Sequence, residues 1–246
     1  MTTTSRQAAT TARRAWARPI VRTVAAISLG IQRPLLRRRL GRAVLERVDG
    51  VPIVVLPDTF NPVVFRTGAF LARAIPELAY AYPAGHRSAL DMGTGSGIGA
   101  VFAARAGWSV TAVDINPSAC RCARINAALN GLEGAIEVLE GDLFKPIAGR
   151  VFDLILFNPP FFRGNPRDDL DRAWHGTDIL ERFATGAGHV LAPGGRITFV
   201  LSSHGEGDCL ARLLEKERLS VRAIRRRDFG SEILTVFEAR REVHKP

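Results

Sequence analysis

Four polar residues stand where four apolar runs of the chain end, and this position suits residues that bind a ligand. Each run has the length and composition of a buried β-strand. The carboxyl ends of parallel strands meet at one edge of a sheet, where α/β proteins bind their ligands. We therefore expect three carboxylates and one amide to converge on one site. These residues are Asp91, Asp114, Asp142 and Asn158.

A glycine-rich segment, "DMGTGSGIG" (residues 91–99), separates the first apolar run from a predicted helix. A tight strand-to-helix turn needs one or two glycines, whereas this segment contains four. Glycine permits positive φ and lets a ligand approach the backbone closely. Within it, "GSGIGA" (residues 95–100) satisfies the dinucleotide fingerprint G-x-G-x-x-G/A, so a nicotinamide enzyme is one alternative.

The acidic residues favour a different ligand. A pyrophosphate would lie at the positive end of the following helix, but Asp91 stands at the mouth of the loop. An acid there suits a ligand with an amine or a sulfonium group. Asp114 can accept hydrogen bonds from both hydroxyls of a ribose, and Asp142 from an adenine amino group. Together these residues predict S-adenosylmethionine rather than NAD.

The fourth apolar run ends in an unusual corner, "DLILFNPPFF" (residues 153–162). Asn158 carries an amide, two prolines follow it, and Phe161 begins an aromatic pair. The Asn158 oxygen and the Pro159 carbonyl could each accept a hydrogen bond, and Phe161 could stack on a planar group. A surface turn with a hydrophobic anchor is the structural alternative.

Apolar strands alternate with helices from about residue 85, which predicts a doubly wound, mostly parallel α/β sheet. "NPSACRCARINAALNG" (residues 116–131) has Asn116 as cap and Pro117 at its first turn. "APGG" (residues 192–195) is a predicted turn before the fifth strand. The last two apolar segments have a short connection, which predicts an antiparallel hairpin. We therefore expect a seven-stranded Rossmann-like sheet with a C-terminal antiparallel hairpin.

The net charge of +10 lies almost entirely in residues 1–50, which hold eleven arginines and two acids. We predict two units, a basic extension over 1–50 and a catalytic domain over 51–246. Apolar residues at helical spacing predict one helix near Ile20–Ile31 and a second that includes Leu40, Val44 and Leu45. The extension could pack on the core, contact RNA, the ribosome or an anionic membrane surface, or serve as a transit peptide.

The cysteines and histidines indicate no further chemistry. Three cysteines are too few for a disulfide framework, and none shows zinc-ligand spacing, so no metal is expected. A reducing, cytoplasmic compartment fits this cysteine content. The five histidines are scattered, without a serine or cysteine nucleophile beside them. No apolar run approaches the ~20 residues of a membrane-spanning helix.

"LDMGTGSG", "VDINP", "GDL" and "FNPPF" together resemble Rossmann-like S-adenosylmethionine-dependent methyltransferases with an Asn-Pro-Pro-Phe motif. The resemblance covers about residues 51–240 and is greatest to the protein-(glutamine-N5) methyltransferases and the small-domain methyltransferases. It implies S-adenosyl-L-methionine as cofactor and a helix beginning near Thr67 beside it. The implied catalytic residues are Asn158, Pro159, Pro160 and Phe161. The implied cofactor-binding residues are Thr67, Asp91, Gly93, Thr94, Gly95, Gly97, Asp114, Ile115, Asp142, Leu143 and Asn158.

The expected function is therefore N-methylation of a planar amide or amine. A glutamine side chain in a protein is the leading acceptor. The exocyclic amine of an RNA or DNA base is the runner-up, with nucleic acid contacted through the basic extension, and a small molecule comes third. A module that binds S-adenosylmethionine or a nucleotide without turnover is the non-enzymatic alternative. The oligomeric state stays open.

Overall fold

The computed structural model describes residues 41–79, 87–160, 178–203 and 209–241. The predicted helix near residues 20–31, Leu40 and Phe161 lie outside these ranges. The strands in chain order are β1 (Val44–Val48), β2 (Val51–Val55), β3 (Ser88–Met92), β4 (Ser109–Asp114), β5 (Ile136–Glu140), β6 (Phe152–Phe157), β7 (Leu191–Ser202), β8 (Leu219–Asp228) and β9 (Ile233–Arg241). The helices are α1 (Thr67–Ala72), α2 (Ile75–Ala79), α3 (Ile98–Arg105), α4 (Pro117–Leu129), α5 (Ile179–Val190) and α6 (Cys209–Lys216), with a 3-10 turn at Lys145–Ile147.

Seven strands form one sheet in the order β5-β4-β3-β6-β7-β9-β8. The first five in this order are parallel to one another, and β9 runs antiparallel to both β7 and β8. The predicted doubly wound sheet with a C-terminal antiparallel hairpin is therefore confirmed. The carboxyl ends of β3, β4 and β6 lie at the same edge, which we call the carboxyl rim.

The unbroken apolar run of β6 reflects burial on both faces of the sheet. Leu154 and Leu156 pack into one apolar cluster, while Ile155 and Phe157 pack into a second cluster on the other side. Because successive side chains point to opposite faces, a central parallel strand needs apolar residues at every position. This strand carries Asn158 out of the core to the carboxyl rim.

The start of the folded domain differs from the prediction. Val44 and Leu45 lie in strand β1, not in a helix, and β1 pairs with β2 around the turn Asp49–Gly50. Both turn residues have positive φ, at 50° and 82°. Asp-Gly between apolar residues is a strong hairpin signal that outweighs the helical spacing. The predicted boundary at residue 50 falls inside this hairpin, so β1 belongs to the folded unit.

The "APGG" segment is also different from the prediction. It lies within β7, where Phe152 pairs with Leu191 and Leu154 pairs with Arg196. One residue of β6 therefore faces four residues of β7, which form a bulge in which Gly194 has φ of 77°. The chain does turn at these residues, but it stays in register with the sheet on both sides.

Candidate active site

The glycine loop, residues 91–99, is organised around the carboxylate of Asp91. This carboxylate accepts hydrogen bonds from the Thr94 hydroxyl at 2.5 Å and from the Ala100 backbone N–H at 2.8 Å. A Cβ at Gly99 would lie 2.6 Å from the Asp91 Oδ1, so a larger residue there would displace the acid. Burial raises the pKa of Asp91 to about 6, although its hydrogen bonds act to lower it.

Two further glycines fix the shape of this loop. Gly93 and Gly95 have φ of 64° and 55°, in the left-handed region that favours glycine. A Cβ at Gly97 would lie 2.9 Å from the Ala123 Cα, so this glycine lets α3 approach α4. Gly97 therefore supports the site from behind, and it does not line the cavity described below.

Asp114 holds the loop from the neighbouring strand. Its Oδ2 accepts the Gly95 N–H at 2.8 Å, and its Oδ1 accepts the Asn116 N–H at 2.9 Å. Burial raises the pKa of Asp114, and the backbone N–H groups act against this rise. Ile115 beside it keeps 45% of its surface exposed. A carboxylate oxygen can accept a second hydrogen bond, so Asp114 retains capacity for the hydroxyls of a ribose.

Asp142 has partners that the sequence did not reveal. Its Oδ2 accepts a hydrogen bond from the Arg182 guanidinium at 2.5 Å and contacts the Lys145 ammonium at 3.1 Å. Burial alone would raise the pKa of Asp142, but the bonds from these two cations outweigh it and lower the pKa. Asp142 is thus ionised and already paired, and any adenine amino group would join this cluster. Leu143 follows it with φ of 49°.

Asn158 stands at the end of β6, and the partners of its side-chain amide bear on what the site can bind. Its Oδ1 is buried and has no hydrogen-bond partner within residues 41–79, 87–160, 178–203 and 209–241. A buried amide oxygen without a partner costs about 1–3 kcal/mol. Pro159 is buried behind it, and Pro160 faces the cavity. The stacked rings of Phe157 and Phe183, 4.0 Å apart, support the strand end from below.

These groups share one cavity of about 270 Å³ at the carboxyl rim. Thr67 does not line it: this residue is buried at the start of α1, and its neighbour Gly68 contributes to the wall instead. Most other predicted site residues do line it. They are Asp91, Gly93, Thr94, Gly95, Asp114, Ile115, Asp142, Leu143, Asn158 and Pro160.

The segment of residues 57–62 forms a wall of the cavity that sequence reasoning missed. It contributes Asp58, Thr59 and Phe60. Asn116 donates a hydrogen bond to the Asp58 carbonyl at 2.9 Å, which fastens this wall to α4. Asn61 donates to the Glu46 carboxylate at 3.0 Å, which fastens it to β1. The signal in the sequence is faint, since "PDTFNP" looks like an ordinary loop.

Asn126 ties the hairpin of β1 and β2 to the glycine loop. Its Nδ2 donates to the carbonyls of Val54 and Ser96, at 2.6 and 2.7 Å, and its Oδ1 accepts the Val54 N–H at 2.7 Å. This side chain is fully buried in α4. Every polar atom of Asn126 is therefore engaged, and the loop conformation depends on residues far away in the chain.

The described residues hold no group of three His, Cys, Asp or Glu side chains that could bind a metal ion. Cys120, Cys122 and Cys209 all lie within the described ranges, and no disulfide joins any of them. No helix within the described ranges is both long enough and apolar enough to cross a membrane.

The fold and the glycine loop are those of α/β proteins that bind a ligand at the carboxyl ends of their strands. Comparison with known proteins identifies the family. The model of the family "Methyltransferase small domain" matches residues 66–229. The chain belongs to this family. The predicted enzyme class, a methyltransferase with an S-adenosylmethionine-binding fold, is therefore confirmed.

Individual relatives differ in what they methylate. The chain is 42% identical over 111 residues to ribosomal RNA small subunit methyltransferase C of Alcanivorax borkumensis, a match that covers 45% of this chain and 31% of that relative. It is 28% identical over 176 residues to a putative protein N5-glutamine methyltransferase of Methanocaldococcus jannaschii, covering 68% and 84%. The chain thus spans about a third of the first relative's length and most of the second's.

A solved structure shows the same architecture. The 16S rRNA N2 G1207 methyltransferase of T. thermophilus, in complex with AdoMet and guanosine, superposes with a TM-score of 0.62 at 23% identity. The match covers 82% of this chain and 50% of that protein. This likeness confirms the fold.

Proposed function

We propose that this protein transfers a methyl group from S-adenosylmethionine to the nitrogen of a planar amide or amine. One observation carries the proposal: Asn158 lines the cavity, and its Oδ1 is buried without a hydrogen-bond partner within the described ranges. A substrate N–H would satisfy this oxygen and remove the cost of its burial. A purely structural corner would be expected to satisfy its amide within the protein.

The residues on the other side of the cavity fit S-adenosylmethionine. The carboxylates of Asp91 and Asp114 provide negative charge and hydrogen-bond acceptors, as an ammonium and a ribose require. The absence of a Cβ at Gly93 and Gly95 leaves the loop backbone open to a ligand. When bound, S-adenosylmethionine supplies a methyl carbon made electrophilic by the sulfonium sulfur.

The acceptor corner would promote attack by holding the nitrogen and weakening its conjugation. Asn158 accepts one N–H, and the carbonyl of Pro159, aimed by the fixed φ of proline, accepts the other. Two acceptors favour the pyramidal nitrogen on which positive charge develops. Phe161, outside the described residues, is assigned to the face of the planar group. The remaining barrier falls because the nucleophile is held in place.

A glutamine side chain in a protein is the acceptor that the sequence motifs place first, and the name of the archaeal relative agrees with it. A nucleic-acid base is the second candidate. It is favoured by the arginine-rich strand β8, whose end lies at the carboxyl rim, and it agrees with the name of the ribosomal RNA relative.

Conversion of cofactor to S-adenosylhomocysteine, measured by mass spectrometry with cell extract as acceptor, tests the activity. Labelled methyl should enter a macromolecular fraction, and Asn158→Ala should abolish most of it. Calorimetry should show binding of S-adenosylhomocysteine and none of NAD. Binding of S-adenosylhomocysteine without any turnover in whole extract would indicate a binding module and not an enzyme. Tight binding of NAD, with none of S-adenosylhomocysteine, would contradict the proposed cofactor.

We further propose that the protein acts in the cytoplasm and that the basic residues at its beginning serve as an adaptor for an acidic partner. The absence of a disulfide among the three cysteines supports a reducing compartment. The adaptor is supported by the sequence, since residues 1–50 hold almost all of the net charge and the four rim motifs all come after residue 90.

A further inference from the structure

An aromatic ring with two guanidinium groups close to it stands at the carboxyl rim, outside the cavity. The Arg227 guanidinium lies 4.9 Å from the centre of the Phe229 ring, and the Arg66 guanidinium lies 5.4 Å from it. We call these three residues the rim arginine surface. Both arginines are exposed and Phe229 is partly buried, so the group faces solvent from a fixed base. The Phe229 ring packs edge-on against the Phe70 ring, with 6.1 Å between the ring centres, and both belong to an apolar cluster beneath the surface.

Strand register places this surface beside the acceptor corner. Phe157 pairs with Phe199, so Asn158 lies level with Val200; Val200 pairs with Val236, and Val236 with Arg225. Three strand spacings separate β6 from β8, or roughly 14 Å. Arg227 lies two residues beyond Arg225, above the rim. Arg66, the second arginine of the surface, immediately precedes α1, whose Gly68 lines the cavity.

The charges of this surface are not neutralised by the described part of the chain. Arg66 and Arg227 form no ion pair with any described residue. Other arginines of the same strand are paired: Arg222 with Glu238 at 3.0 Å, and Arg225 with Glu77 at 3.6 Å. Arg225 also donates to the Arg73 carbonyl, which fixes β8 against α1 and α2. The end of β8 is therefore held rigidly while its charge remains available.

We propose that the rim arginine surface binds the strand of RNA that carries the methyl acceptor. Arg66 and Arg227 contact phosphate groups, and the partly exposed ring of Phe229, with the guanidiniums over it, stacks on a base near the flipped or unpaired target. The inference rests on the proposed function and deepens it, because it selects the base amine over the glutamine amide. Unpaired arginines would suit an acidic protein as well, but a guanidinium–aromatic platform additionally recognises the flat face of a base.

Binding of the full-length chain to a single-stranded RNA oligonucleotide tests this proposal. Anisotropy is measured at several salt concentrations for the unaltered chain, for R66Q/R227Q and for the matched control R105Q/R218Q. The control removes two exposed, unpaired arginines of the described residues from the opposite edge of the sheet. Each lost phosphate contact lowers the slope of log affinity against log salt by about 0.7. The rim variant should therefore lose about 1.4 and the control nothing.

A second variant, Phe229→Leu, separates stacking from charge. Leucine keeps the apolar base on Phe70 but loses the ring face, and RNA affinity should fall by about 5-fold to 150-fold at constant salt slope. Equal RNA binding by all three chains, or equal loss in rim and control variants, overturns the proposal. If R66Q/R227Q lowers binding to poly-glutamate and leaves RNA binding unchanged, the surface binds an acidic protein. That result also overturns the proposal.

Calorimetry with S-adenosylhomocysteine on the same samples keeps the two conclusions apart. Each variant should bind it as the unaltered chain does, because no altered side chain lines the cavity. Failure of the unaltered chain to bind S-adenosylhomocysteine would defeat the proposed function, whereas normal binding with unchanged RNA affinity in the rim variant defeats this inference alone.

Discussion

The two halves of the cavity differ in how their polar groups are satisfied. On the glycine-loop side, Asp91 and Asp114 each accept two hydrogen bonds from within the protein, which fix their positions. On the side proposed to hold the acceptor, the Asn158 oxygen has no such partner within the described residues. The two guanidiniums of the rim arginine surface, beside the cavity, have no ion-pair partner there either. One half is thus organised before any ligand arrives, while the other is completed by the ligand.

This contrast suits a reaction with one constant and one variable participant. A methyl donor is always the same molecule, so a rigid network can hold its binding groups. An acceptor must enter, react and leave, and a group satisfied by the protein would have to be released at each turnover. We therefore expect substitutions in the two halves to have different consequences.

The largest effect is expected for Asn158→Ala. Loss of one acceptor that stabilises developing charge should lower turnover by about 10²–10³-fold. Affinity for S-adenosylhomocysteine should change little, since Asn158 is proposed to bind the acceptor. Single-turnover kinetics and calorimetry measure the two quantities, and Asn130→Ala, which removes an amide outside the cavity, is the control. If the Asn158→Ala variant is folded but no longer binds S-adenosylhomocysteine, Asn158 belongs to the cofactor side of the cavity.

Asn126→Leu should destabilise the glycine-loop side of the cavity. The substitution leaves the Val54 N–H and the carbonyls of Val54 and Ser96 without their buried partner. The free energy of unfolding should fall by about 3 kcal/mol, as measured by urea denaturation. S-adenosylhomocysteine affinity should fall with it, because Ser96 belongs to the glycine loop. An unchanged unfolding midpoint would show that the loop does not depend on this amide.

The raised pKa of Asp91 predicts a pH dependence of cofactor affinity. Below pH about 6 Asp91 is protonated and cannot attract a cation, so S-adenosylhomocysteine affinity should fall about tenfold per pH unit. Above pH 7 it should be constant. The ligand-free protein should behave oppositely: ionising this buried acid lowers its stability as pH rises from about 4 to about 6. Asp91→Asn should remove the part of both dependences that Asp91 causes and leave the part due to Asp114, whose pKa burial also raises. A flat affinity profile in the unaltered chain would contradict the assignment.

The smallest effect is expected for removal of the residues before Arg42. This truncation keeps β1, including the Glu46 carboxylate that holds Asn61 at the wall of the cavity. S-adenosylhomocysteine affinity should stay within about threefold of the full chain, since no described cavity residue is removed. A start at Val51 removes β1 and should lower stability and affinity together. Loss of affinity in the longer truncation would make the extension part of the site.

The sequence predicted the positions of most site residues because strand ends and glycine turns are local features. Asp91, Asp114 and Asn158 each follow a strand whose apolar run is readable, and the sheet brings these ends together. The sequence did not predict Arg182, since its pairing with Asp142 joins a helix to a strand end 40 residues earlier. Asn126 was likewise missed, because a helical asparagine has no local signature for the three tertiary bonds it forms.

Helical spacing misled at the hairpin for a related reason. Val44 and Leu45 fit a helix with residues before them, but the Asp49–Gly50 turn imposes the two-residue periodicity of a strand. Where helical and strand patterns compete, the conformation that buries more apolar side chains is favoured. The hairpin buries Val48 and Ile53 in the main core.

Strand β8 has one further consequence, which concerns association between molecules. It is the last strand of the sheet and ten residues long, and no strand of the described residues pairs with its outer edge. Two such edges placed antiparallel would bring the guanidiniums of Arg222, Arg226 and their neighbours together, and this repulsion keeps the molecules apart. The bulge between Ala223 and Arg225 also interrupts a continuous ladder. Concentrated solutions of variants stripped of these arginines should therefore form aggregates sooner on storage than the unaltered protein.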